Sequence, residues 1–96
     1  MKVFFHPLVR RDVLEIKSYY REVSSRLAGE FEQELRSIID AAAANPSRFH
    51  LVDRGFRRAN LQRFPYHVLY EVQTSAIRVM IVKHHKRAPE LGMGRQ

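Results

Sequence analysis

The spacing of apolar residues changes along the chain, and each change marks a different kind of element. Residues 2–6 alternate and are rich in β-formers: Val3 and Phe5 point one way, Lys2, Phe4 and His6 the other, which predicts a short strand. Pro7 ends it, because proline lacks a ladder donor yet is tolerated where a helix begins. Val9, Val13, Ile16, Tyr20 and Val23 then recur at helical spacing and form one apolar stripe, with Arg10, Arg11, Asp12, Lys17 and Arg21 mostly off it. Ser24-Ser25 breaks the run and offers a hydroxyl to cap a second helix. That helix carries Leu27, Phe31, Leu35, Ile38 and Ala42 on one face, has Glu30, Glu32 and Glu34 toward its positive end, and stops at Asn45-Pro46. So short a connection predicts an antiparallel helical hairpin.

Beyond a polar stretch, residues 49–55, the period becomes two. Residues 56–61 read as a strand with basic positions, and Arg63-Phe64-Pro65 as a break or bulge. Tyr66, Val68, Tyr70 and Val72 alternate with His67, Leu69 and Glu71; Gln73-Thr74-Ser75 reads as a hairpin turn. Ile77, Val79 and Ile81 alternate with Arg78, Met80 and Val82 in a last strand, and the tail from about residue 91 is expected to fray. The order β-α-α-β-β-β predicts an α+β domain spanning residues 1–96. Its helical hairpin covers one face of a small, mainly antiparallel sheet, and the other face is left wet.

Composition narrows the class. A chain of 96 residues makes one domain. With no cysteine, disulfides and thiolate zinc sites are excluded, which fits a reducing cytosol. No apolar run suits a transmembrane helix or signal peptide, so a cytoplasmic protein is expected. The formal charge of +7 lies wholly in the second half: residues 1–47 carry seven basic and seven acidic side chains, residues 48–96 ten against Asp53, Glu71 and Glu90. So lopsided a field gathers anionic partners, whether nucleic acid or an acidic protein segment.

Together these features resemble a known family. The element order, the helix ending in Asn45-Pro46, the segment from Arg57-Arg58-Ala59-Asn60 through Tyr66-His67-Val68-Leu69-Tyr70-Glu71-Val72, and the closing Val82-Lys83-His84-His85-Lys86-Arg87 resemble RelE/ParE toxins of type II toxin–antitoxin systems, often labelled plasmid stabilisation proteins. The resemblance implies a toxin silenced by an acidic cognate antitoxin, as part of a hetero-oligomer or, alone, as a homodimer. RelE-type members are ribosome-dependent endoribonucleases; ParE-type members poison DNA gyrase by contact.

Residue chemistry weighs the two. RNA cleavage needs one group to deprotonate the 2′-hydroxyl, another to protonate the leaving oxygen, and fixed cations. In RelE-like cleavers, clustered basic residues on the middle strands, a C-terminal Arg and a late Tyr or His supply these. Here the groove-facing positions are Arg58, Asn60 and His67, the C-terminal cation is Arg87, and Met93 stands where an ungapped match places the tyrosine. The resemblance is therefore closer to ParE than to RNA-cleaving RelE. Catalytic candidates, should the chain cleave RNA, are His67, His84, Arg58 and Arg87; target or anion binding falls to Arg57, Arg58, Arg63, His67, Lys86 and Arg87. A further alternative is a non-toxic nucleic-acid-binding module, although the basic residues lie on strands and turns rather than along one helix. His84 and His85 point to opposite faces if the strand continues, so no metal site is expected, nor any cofactor.

Overall fold

The structure, a computed structural model, describes residues 1–96. Strand β1 (Lys2–Phe5) leads through Pro7 into helix α1 (Val9–Arg21), where the Leu8 N–H donates to His6 Nδ1 at 3.1 Å. The helix stops at Arg21, two residues short of the apolar stripe, and leaves Val23 exposed. Ser24 Oγ caps helix α2 (Ser25–Ala44) by accepting from the Leu27 N–H at 3.0 Å. After Asn45 come single 3-10 turns at Pro46–Arg48 and Asp53–Gly55. Between them lies a two-residue strand, β2 (His50–Leu51), in the stretch read as purely polar loop. Then follow β3 (Phe56–Asn60), β4 (Tyr66–Val72) and β5 (Ala76–His84).

The five strands form one sheet in the order β1-β5-β4-β3-β2, antiparallel throughout except that β1 runs parallel to β5. The fold is α+β, with the helical hairpin on one face. Tyr66, Val68 and Tyr70 of β4 point to the helices together with Ile77, Val79 and Val82 of β5, a β-bulge between them absorbing one residue. Phe31 is wholly buried against this face, and Tyr20, Phe31, Phe64 and Tyr66 interlock with centroids 5.1 to 6.1 Å apart, edge-on except for the tilted Tyr20–Phe31 pair, tying both helices to the sheet. The Tyr70 hydroxyl ties the turn after α2 to this face by donating to the Pro46 carbonyl at 2.7 Å.

The opposite face is wet only in part: Phe4 and Asn60 are exposed there, but its centre is covered. Phe56, Leu69 and Ile81 point away from the helices, yet each is no more than 5% exposed. β5 is apolar on both sides, and the chain beyond it folds back across the second face. Lys83, only 4% exposed, donates from Nζ to the carbonyls of Ala88, Pro89 and Leu91 at 2.7 to 2.9 Å. Gly92, at φ +94°, lies so close to Ile81 that any Cβ there would collide with it. Arg95 forms a bidentate pair with Asp12 of α1 at 2.7 and 2.9 Å and also donates to the Met80 carbonyl. Because β1 ends opposite Val79, the rest of the β5 edge is unpaired by strand. Asp12, accepting from the Val82 N–H, and Arg95 cap it with side chains instead.

Candidate target-binding site

Alternation along β3, β4 and β5 sorts the basic residues. Asn60, His67 and Lys83 form one cross-strand row on the face away from the helices, and Arg58 lies in the next row beside Leu69 and Ile81. His85, just past β5, lies beside His67 edge to edge, with the ring planes nearly parallel (10°), the centroids 5.1 Å apart and the two Nδ1 atoms 2.9 Å apart. Arg58 Nε donates to Asn60 Oδ1 at 2.8 Å, and its Nη2 lies 3.2 Å from His85 Nδ1. A guanidinium only donates, so His85 Nδ1 accepts and its ring proton sits on Nε2. His67 Nδ1 is then the donor in the contact between the rings.

The sequence placed His67 on a solvated face; it is instead 2% exposed, with His85 against its edge. Burial first, then the charges of Arg58, His85, Lys83 and His84, push its pKa down to about 3. Burial and Arg58 also lower His85, and burial, then Arg58, lowers Lys83. The two imidazoles are therefore neutral near pH 7. Arg58 is the distinctive member. Arg11, Arg26, Arg54, Arg63, Arg78 and Arg95 each face a carboxylate, while the side-chain partners of Arg58 are an amide and an imidazole, both neutral. An arginine left in that state is a ready receptor for a phosphate or carboxylate brought by a partner.

The other basic positions lie elsewhere. Arg57 points to the helix side, donating to the Phe49 carbonyl at 2.8 Å, and so ties down the loop after α2. Arg63 pairs with Glu30 at 2.9 Å, while Glu34 accepts from the Gln62 and Arg63 N–H groups; both carboxylates fasten the β3–β4 loop to α2. Lys86 and Arg87 are exposed in the turn after β5. Arg87 lines a cleft of about 420 Å³ with Tyr19, Tyr66 and His84, between α1 and the open β5 edge. His84 faces the helix side, edge-on to Tyr66 at 5.1 Å, opposite to His85. The structure thus brings Arg58 and His67 together, sets Lys86 and Arg87 at the end of the neighbouring strand, and leaves Arg57 and Arg63 apart. Sequence reasoning did not single out Lys83 and His85 for this cluster. The signal was present, since Lys83 and His85 are two apart and share the face of His67 once the β4–β5 register is fixed. No group of three or more His, Cys, Asp or Glu is placed to hold a metal ion.

A small basic α+β domain with a carboxylate-free arginine cluster on its sheet is what this geometry defines. A profile of the ParE toxin of type II toxin–antitoxin systems, parDE, matches residues 3–89, and the chain belongs to that family. It is similar in fold to a chain in the solved structure of the chromosomal ParDE toxin–antitoxin system from P. aeruginosa. The TM-score is 0.77 at 17% identity, covering 88% of this chain and 95% of that one. No curated protein matches it.

Proposed function

We propose that this ParE toxin poisons DNA gyrase by contact, makes and breaks no bond of its own, and is neutralised in the cytoplasm by an acidic antitoxin. One observation carries the non-cleaving part. Where an RNA cleaver needs a proton acceptor and donor near neutral pH, this chain holds a buried imidazole depressed to about pKa 3 beside a second, neutral one. So weak a base takes little of a 2′-hydroxyl's proton, and an imidazole that stays neutral is a poor acid for the leaving oxygen. Arg58 remains useful without either step, as a fixed cation for an anionic or carboxylate-bearing surface.

Charge and exposed apolar surface support the antitoxin part. Phe5 and Leu14 are each more than half exposed. They line a groove between β1 and the hairpin with Val13, beside Arg10 and Lys17. An acidic segment, part helix and part extended, could lay an apolar stripe there while its carboxylates meet the basic half.

The test is to induce the chain alone in bacteria, and then with its acidic neighbour reading frame, following DNA integrity and translation together. Double-strand breaks with an SOS response, relieved by the neighbour, are expected. Translation arrest with messenger cuts at the ribosome would replace this reading with the endoribonuclease one. Healthy growth at good expression would remove both.

A further inference from the structure

The segment after β5 is rooted in histidines whose Nδ1 atoms must carry no extra proton. His84 Nδ1 accepts from the Lys86 N–H at 3.0 Å, and His85 Nδ1 accepts from Arg58. The third contact, His67 against His85, brings two imidazole nitrogens to 2.9 Å with the rings edge to edge. Two charged rings cannot occupy that arrangement. The groups that face it are Arg58 from β3 and Lys83 from β5, both cationic, with Asn60 as the neutral member, and Arg87 from the following turn acts on Lys83. Glu90 acts on Lys83 as the opposing carboxylate. On the far side of His84, across the cleft, the carboxylates of α1 are already engaged, Glu15 with Arg11 and Asp12 with Arg95. A proton arriving on His67 therefore finds two cations beside it, Arg58 and Lys83, no carboxylate, and only a neutral imidazole to donate to.

We propose that residues 85–96 form an acid-released strap, which protonation of His67 drives off the second face of the sheet while the helix-covered core stays folded. This goes beyond the toxin reading and does not depend on it. The direction follows from linkage. With the strap open, His67 is solvated and titrates near its ordinary value of 6.5; with the strap closed it is held far below, at about 3. Closure is thus fully favoured above pH 6.5 and erodes as pH falls through that value toward the closed-state one. One unit below 6.5, His67 weakens closure on the order of 10-fold, and each further unit adds a similar factor until its closed-state value is neared. His85 shifts the same way but is exposed, so solvent screening makes its share smaller. The far end of the strap is held by other means, the carbonyl crown on Lys83 and the Arg95–Asp12 pair, so release starts at the root.

Hydrogen exchange of the whole chain between pH 7.5 and 5.5, corrected for intrinsic rates, tests this. The opening constant of residues 85–96 should rise at least about 10-fold, while the amides of Val68 and Tyr70 keep their protection. In His67→Phe, which fills the site with an uncharged ring, the rise should shrink to about the small share left to His85. If that variant fails to fold, His67→Gln, polar but not titrating, should show the same flattening. Constant protection of the strap across this range overturns the proposal. So does an equal rise in the variants, or loss of strap and core protection in step, which would mean that acid unfolds the domain as a whole.

Discussion

The two faces of the sheet are buried to similar depth by different forces. On the helix side, Phe31, Val68, Tyr70, Ile77 and Val79 form a continuous apolar core, all 1% exposed or less. Such burial contributes by area, at roughly 25 cal/mol per Å², and involves no group that titrates near neutral pH. On the other side, a short irregular segment is fixed by a lysine under three carbonyls, an edge-to-edge pair of histidines and one bidentate ion pair. Those contacts exchange for water at modest net cost, so this face is the more responsive. A small domain can thus keep a rigid scaffold and, back to back with it, a surface that conditions can change.

Substitutions break or sharpen the contrast. The largest loss should come from Phe31→Ala: about 3–5 kcal/mol of global stability by denaturant titration, close to the whole margin of a domain this size. Asp12→Ala leaves Arg95 and the Val82 N–H without their acceptor. It should cost about 1–3 kcal/mol, read as faster exchange in residues 85–96 ahead of the core. Gly92→Ala forces a side chain into a left-handed conformation against Ile81 and should cost about 1–2 kcal/mol in the same segment. Arg11→Ala removes an exposed i,i+4 pair with Glu15 and should change melting by less than about 0.5 kcal/mol. If Asp12→Ala lowered core and strap protection equally, the two faces would be one cooperative unit and the contrast would fail.

Much of the fold was legible because the periods of three-to-four and two were clean. The Ser24 cap, the Asn45-Pro46 stop and the β4–β5 alternation needed no tertiary information. The site was harder to read. Alternation put Arg58, Asn60 and His67 on one face, as observed. Whether that face is open depends on where residues 85–96 go, and a segment without periodicity carries no sign of it. Hence His67 read as solvated and is buried. Arg57 and Arg63 looked alike as cations in sequence, but their roles are set by contacts distant in sequence, Phe49 for one and Glu30 for the other. Lys83 escaped notice because a lysine on a strand reads as exposed unless carbonyls return to meet it.

The central claim is that Arg58, the guanidinium with only neutral side-chain partners, is the contact through which the toxin engages its target. The direct measurement compares killing by Arg58→Ala with killing by the parent chain at equal expression, alongside thermal melts of both. The account predicts a variant within about 0.5 kcal/mol of the parent in stability that no longer stops growth. A variant equally stable and equally lethal would contradict it.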